Sequence, residues 1–537
     1  MIRLRKVHQD LFDYYRLRLH CARAMMIVCC FVLTLMYVDC GGSTSTPTQS
    51  LSITPASLPD AFVDFPYRQT IQVFGGTPPY TWAVSSGALP NGILLAPGGS
   101  TSAVISGTPA TAQSTLPVAI TVSDAKGHTT AASFKLTVLS TQNAQLQAAS
   151  GQIAANTIEI RGLSAGPFNP SYWQKNTLNW VADVRLPFLL AQTTGQWRNI
   201  YSPWALEEPS DWRIFFGGWD GSNTPNDRVY SVNTTDFISF TNRRLVIDHG
   251  ALIHVNNENV QRLTDGSLHM IATGGMAPGM APGPFQFNKP VYFFSPDGIT
   301  WNGSLAPYQA QLSDIISIPN YSLFASGNFN GANVLFYDNN QFTLFFQNWN
   351  DQSVLGTMDR ATTTTPPTFS LQGLALATSS VVQDIKKIQV NGNNWYAMGM
   401  QTIFSQLSYS LSNDGINFGP EQIMFGPAYS PDDALFVTMC FVTHGNALLG
   451  ALYGGTDRPA NPNSIYARWL QKKVVLADSS GNQIPVQGSY GPDRQQFAIS
   501  SGSLQGTIWV YAEDGLTPVA TGQVQLAEGQ SYQLILH

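Results

Sequence analysis

Charged residues make up only 11% of the 537-residue chain, and 33 acidic against 27 basic side chains leave a net charge of −6. With charge well below the usual ~25%, the chain does not read as long solvated helices, and without a basic stripe nucleic acid is excluded as a partner. Its 46 glycines and 33 prolines fit turn-rich β domains instead, and the length allows about three or four of them.

Residues 1–39 read as a targeting segment. Arg3, Arg5, Lys6, Arg16, Arg18 and Arg23 precede an uncharged apolar run from Ala24 to Val38. That run falls short of the ~20 residues of a membrane span and suits a signal sequence. Cys40-Gly41-Gly42-Ser43 follows, then a Ser/Thr/Pro tether over 40–50. The arrangement resembles bacterial lipoproteins, which implies lipidation at Cys40 and attachment to the outer membrane or cell surface. Tyr37 and Asp39 depart from the usual pattern, so an uncleaved anchor is the alternative. Only Cys440 lies beyond this region, which leaves no disulfide framework and no cysteine metal site.

Residues 51–139 hold short alternating runs divided by turn chemistry, the signature of a β-sandwich. Gly75-Gly76-Thr77-Pro78-Pro79-Tyr80-Thr81-Trp82, Leu89-Pro90-Asn91-Gly92, Ile105-Ser106-Gly107-Thr108-Pro109 and Val122-Ser123-Asp124 mark it. These stretches resemble the putative-Ig modules of bacterial surface proteins, relatives of cadherin-like sandwiches. Some such relatives bind Ca²⁺, and calcium is kept as an alternative. Against it, Asp60, Asp64 and Asp124 stand apart in sequence, whereas the ion wants six to eight oxygens. The Gln- and Ala-rich residues 140–155 read as a linker.

Between 156 and 473 one unit recurs: a polar start, a strand, a tight turn and a second strand. The clearest copy is His254 to Thr273, with Asp265-Gly266 as its turn. Others start near Asn199, Asn330, Asp384 and Asp433, roughly 50–75 residues apart, the spacing of propeller blades. A five-bladed β-propeller is expected, and residues 474–537 read as a small C-terminal β domain. The fold class is therefore all-β throughout.

Innermost propeller strands begin around one end of the channel, so their first polar residues converge. Those residues are Asn199, His254, Asn256, Asn257, Asn259, Asn330, Asn333, Asp384 and Asp433. A loop leaving the first blade adds Trp219, Asp220 and Asp227, and Trp349 ends a corresponding second strand, where an indole can stack on a sugar ring. Glu258 has the wrong parity for the channel if Asn257 and Asn259 face it. The runs Ser295-Pro296-Asp297-Gly298 and Ser412-Asn413-Asp414-Gly415 resemble the Asp-box turns of sialidase-like propellers, which are structural. Ser231–Phe237 is a fainter copy.

The arrangement resembles five-bladed glycoside hydrolases of the arabinanase and invertase type, whose catalysis uses paired carboxylates. That resemblance implies catalytic roles for Asp384, Asp433, Asp220 and Asp227. Asn199, Trp219, His254, Asn256, Asn257, Asn259, Asn330, Asn333 and Trp349 would bind substrate, and no metal is called for. The expected function is an exported, membrane-anchored protein acting on a polysaccharide. The alternative is a non-catalytic glycan-binding or adhesion protein, since the mouth is richer in Asn than in acids.

Overall fold

The computed structural model describes residues 50–537 except 186–188, 190–198, 219–225, 277–286, 330, 332, 351–352, 355–356, 403–405, 427–434, 457–462 and 501. Residues 1–39, expected as a targeting segment, and Cys40 lie outside the described residues. No helix among the described residues is long and apolar enough to cross a membrane. Nearly all regular structure is strand, in three bodies.

The first body is a two-sheet sandwich. Ser52–Thr54, Tyr67–Phe74, Ser102–Gly107 and Ile93–Pro97 form one sheet, in that order. Ala61–Phe62, Thr129–Leu139, Gln113–Ser123 and Thr81–Gly87 form the other. Period-two alternation places Ile71, Ile105, Ile120 and Leu136 in the shared core, with Trp82 against its edge. Asp124, which the calcium alternative would use, is taken up by a turn. Its carboxylate accepts from the amides of Thr77, Lys126 and His128 at 3.0, 2.9 and 2.8 Å.

The second body is a nearly closed nine-stranded sheet assembled from two parts of the chain. Gln142–Gln152 and Thr157–Arg161 lie in its middle, among five strands drawn from Lys473–Leu536 and with one further short strand of that stretch at each edge. Residues 140–155, expected as a linker, are thus mostly a strand. Its Gln-rich composition hides a period-two pattern in which Ala144 and Leu146 face the core. Only Ser140 and Thr141 separate this strand from the sandwich. The indole of Trp509 donates to Asp64 O at 2.8 Å, and Phe65 meets Tyr511 edge-on at 5.1 Å, so the two bodies touch.

The third body is the propeller. Five antiparallel sheets begin with Tyr201–Glu207, His254–Arg262, Asn333–Asp338, Val381–Val390 and Leu435–His444. Each first strand touches the next, and Leu435–His444 touches Tyr201–Glu207, which closes the ring. The last sheet takes its outermost strand, Trp180–Ala182, from the chain preceding the first sheet, paired antiparallel with Ser464–Leu470. The tight turns are built as their residues demand: Asn339 and Asn340 have φ of 50° and 57°, and Asn391 and Gly392 have 50° and 79°. Asp297 and Asp414 sit in turns, each accepting from two following amides at 2.6–2.8 Å. A third such turn lies at Thr234–Ser239, overlapping the fainter sequence copy, where Asp236 accepts from Ile238 and Ser239.

Asp183 joins propeller to nine-stranded sheet. Fully buried, it accepts from Trp469 Nε1 at 2.8 Å, from Gly491 N at 3.0 Å and from the Arg185 side chain twice at 2.8 Å.

Candidate functional site at the start of the inner strands

Four of the five first strands carry a register irregularity close to their start. It falls between Tyr201 and Trp204, Asn256 and Asn259, Val382 and Asp384, and Phe436 and Thr438. A bulge places two residues against one and re-aims the side chains beyond it. In the second sheet Asn257 and Glu258 together face the single Ala272, between the pairs Asn256–Thr273 and Asn259–Ile271. Asn257 takes φ of 52°, a left-handed conformation that Asn tolerates well, and Ser202 takes 59° at the matching place in the first sheet. These two side chains meet, the Ser202 hydroxyl donating to Asn257 Oδ1.

The second strands make room for this crowding with glycine. A Cβ on Gly275 would lie 2.6 Å from the His254 ring, and one on Gly454 would lie 2.9 Å from the Tyr201 Cβ. Gly217 faces Asn256 and Gly399 faces Met439 in the same manner.

The bulges gather a polar cluster between the first and second sheets. Asp227 Oδ2 accepts from the Tyr201 hydroxyl at 2.7 Å and from Asn256 Nδ2 at 3.0 Å. Asn256 Nδ2 also reaches the Tyr201 oxygen at 2.7 Å, and Asn257 Nδ2 donates to Asn256 Oδ1 at 3.2 Å. Burial, with the charge of Asp227 beside it, holds the Tyr201 hydroxyl well above the usual tyrosine range.

Glu258 enters the same cluster. Its carboxyl is 3% exposed, and neither oxygen has a hydrogen-bond partner among the described residues. Burial pushes its pKa well above the ordinary value, and the Asp227 charge adds to the push. His254 closes the other side, with Nε2 donating to Asn288 Oδ1 at 2.7 Å. Burial lowers its pKa, which leaves the ring neutral. The cluster thus pairs one carboxyl held by two donors with a second carboxyl that is buried and without a hydrogen-bond partner among the described residues.

The remaining candidates divide. Asn259 and Asn333 serve the neighbouring strand: Asn259 Oδ1 accepts from Leu335 N at 3.2 Å, and Asn333 Nδ2 donates to Phe329 O at 2.7 Å. Asn199 Oδ1 accepts from Asn463 N at 2.8 Å and ties the first sheet to the last. Asp384 is not brought into the cluster. Wholly closed to solvent, it accepts from Phe441 N at 2.6 Å and pairs with Lys386 at 3.3 Å. Burial pushes its carboxyl up to about 6 against the pull of that ammonium, which itself rests 3.5 Å above the Trp204 ring. The geometry is that of a packing pair between inner strands, just past the register irregularity between Val382 and Asp384. Trp219, Asp220, Asn330 and Asp433 lie outside the described residues, as does the side chain of Trp349.

Parity alone passed over Glu258 and Tyr201. The signal available was the Gly-Gly pair ending the second strands, at 217–218, 274–275 and 454–455, which marks where neighbouring backbones must bulge toward them.

The class defined by these features is an all-β propeller protein with an Ig-like module and a polar, carboxyl-bearing cluster at its inner strands. Residues 43–139 match the family model described as "Putative Ig domain". No curated protein matches the chain. Among solved structures, the catalytic domain of the GH62 alpha-L-arabinofuranosidase of Coprinopsis cinerea covers 55% of this chain and 98% of its own. Its identity is 14% and its TM-score 0.38. The GH32 beta-fructofuranosidase of Bombyx mori covers 68% of this chain and 94% of its own, with 8% identity and a TM-score of 0.38. For the exo-beta-1,3-galactanase of Clostridium thermocellum the shares are 58% and 83%, with 12% identity and a TM-score of 0.38. Arabinanase- and invertase-type enzymes, to which the sequence pattern pointed, are thus among its structural neighbours.

Proposed function

We propose that the protein is a carbohydrate-active enzyme that hydrolyses a glycosidic bond of a polysaccharide at the Tyr201–Asp227–Asn256–Glu258 cluster. The observation carrying this reading is Glu258, a buried carboxyl whose oxygens have no partner among the described residues, beside Asp227, whose carboxyl is held by the Tyr201 and Asn256 donors. Glycoside hydrolysis needs that inequality: one carboxylic acid to protonate the departing oxygen and one carboxylate to act as base or nucleophile. Glu258 is the acid in this reading and Asp227 the second group. Tyr201 and Asn256 are positioning residues that hold Asp227, while Asn257 and Ser202 offer neutral hydrogen bonds to sugar hydroxyls. Asp220 and Asp433 remain candidates for a third carboxylate. In the same reading residues 1–39 export the chain, and Cys40 anchors it to the cell envelope so that the propeller meets extracellular glycan. Support for that part is the basic and apolar N-terminal pattern and the Cys-Gly-Gly-Ser tether.

A second reading, glycan binding without hydrolysis, is favoured by the predominance of amides over acids among the inner-strand starts. A panel of polysaccharides and aryl glycosides, assayed for sugar release with the wild type, Glu258→Gln and Asp227→Asn, separates the two. Release that both variants lose establishes the hydrolase, and binding without release in the wild type establishes the lectin.

A further inference from the structure

His254 belongs to a relay of amides that runs from the second blade to the third. In the second sheet His254 pairs with Gly275, and Gly275 pairs with Asn288 in the strand Phe287–Ser295. Glycine leaves the middle of this row open, so the imidazole lies across it and reaches Asn288. Behind Asn288 stands Asn328, on the connection to the third blade. Asn328 Oδ1 accepts from the backbone N–H of Asn288 and from its Nδ2, both at 3.1 Å. The backbone N–H of Asn328 donates in turn to Asn348 Oδ1 at 2.9 Å, just past the strand Gln341–Phe346.

Main-chain groups fix the direction of these bonds, because a backbone N–H can only donate. The Asn328 atom facing Asn288 is therefore oxygen. Asn288 turns its amide nitrogen to that oxygen and is left with its own oxygen toward His254. An amide oxygen only accepts, so the proton of the neutral imidazole sits on Nε2 and the lone pair on Nδ1. The connection carrying Asn328 is pinned at the same place. Phe329 N donates to Asn288 O at 3.0 Å, and the Lys289 ammonium donates to Ala325 O at 3.1 Å and Gly327 O at 2.6 Å. Burial works against a charged ring at His254, which is 8% exposed. Of the titratable groups around it, Asp227 favours the imidazolium and His249 opposes it. A carboxylate in place of Asn288 would favour the imidazolium far more than the amide oxygen does.

We infer that Asn288 and Asn328 are positioning residues of the candidate site: their amides hold the His254 proton on Nε2 and keep the ring beside Asp227 uncharged. The catalytic consequence rests on the hydrolase reading. An imidazolium there would bind the Asp227 carboxyl as a buried ion pair, and a neutral ring adds no such hold.

NMR of the imidazole nitrogens in the full chain, deuterated and carrying isotopically labelled histidine, tests this. The His254 signals are those missing from His254→Gln. The wild type should show His254 as the uncharged Nε2–H tautomer at about pH 7. Asn288→Asp should move the titration midpoint of this ring up by at least about one pH unit. Asn328→Ala frees the Asn288 amide to turn over and should bring in the Nδ1–H form. On a polysaccharide that the wild type cleaves, Asn288→Asp should lower kcat at least about tenfold with KM within about twofold. An Nδ1–H tautomer or an imidazolium in the wild type would overturn the inference, as would a ring that neither variant changes. Full turnover by Asn288→Asp with a raised midpoint would overturn the positioning role. The spectra do not depend on turnover, so a wild type that cleaves nothing would refute the hydrolase reading while the relay still stands or falls on the ring.

Discussion

Glu258→Gln removes one proton and little else. The amide has the shape of the protonated carboxyl, so the fold should hardly register the change below about pH 4, where the carboxyl of the unfolded chain is protonated as well. A stability difference within about 0.5 kcal/mol is expected there. The sign at higher pH is fixed by linkage. A folded-state pKa raised above the unfolded value gives stability that is complete below the unfolded pKa and lost as pH rises through the folded pKa. The variant has no such loss and should outlast the wild type in alkaline urea titrations. The catalytic effect should be large. General acid catalysis contributes about 10²–10⁴-fold, which corresponds to about 3–5 kcal/mol of barrier. That loss should appear on polysaccharide, whose departing alkoxide needs a proton. On a dinitrophenyl glycoside, whose leaving group departs unprotonated, it should shrink to within about tenfold. The assay is kcat/KM for both substrates at pH 6, with urea unfolding across pH alongside. An equal fall on both substrates, or full activity on polysaccharide, would refute the assignment of Glu258 as the acid.

Four further outcomes follow from the geometry. Tyr201→Phe deletes the hydroxyl that donates to Asp227 at 2.7 Å, and should cost about 1–3 kcal/mol in urea unfolding while lowering kcat more than it changes KM. Asp384→Leu leaves Lys386 and the Phe441 amide unmatched and should destabilise by about 3–5 kcal/mol. Asp384→Leu with Lys386→Met should recover most of that, as measured by a double-mutant cycle. Asp183→Ala strands the Trp469, Arg185 and Gly491 donors together, and should lower the main calorimetric transition by the equivalent of about 3–5 kcal/mol. Asp414→Ala removes two backbone and two side-chain hydrogen bonds of an exposed turn, and should cost about 1–2 kcal/mol in thermal melting with turnover unchanged.

Much of the architecture was legible in sequence because it rests on local rules. Period-two alternation and turn residues such as Asn391-Gly392 mark strands and hairpins wherever they fall, and the Ig-like module carries its turns in a recognisable order. The nine-stranded sheet was not legible as one body, since its middle strands come from residues 142–161 and its remainder from 473–536. Nothing local announces that pairing, and Gln-rich strands look like connections. In the candidate site, Asn256 and Asn257 stood out as polar residues at a strand start, and Asp227 as a carboxylate in the loop leaving the first blade. Asp384 looked equally conspicuous, yet it is paired and sealed. Glu258 looked wrong by parity, yet it joins Asp227. In both places the alternation rule gives way, since it holds only along an unbroken strand and each of these residues lies at a bulge. The glycines opposite them carried the missing information.

The most direct test of the proposed centre is a crystal structure of Glu258→Gln with an oligosaccharide that the wild type cleaves. The expected result is a sugar chain lying over Asn257 and Ser202, its glycosidic oxygen about 3 Å from the residue-258 amide and Asp227 on the anomeric carbon's other side. A chain bound elsewhere, with the Tyr201–Asp227 cluster still closed and untouched, would contradict it.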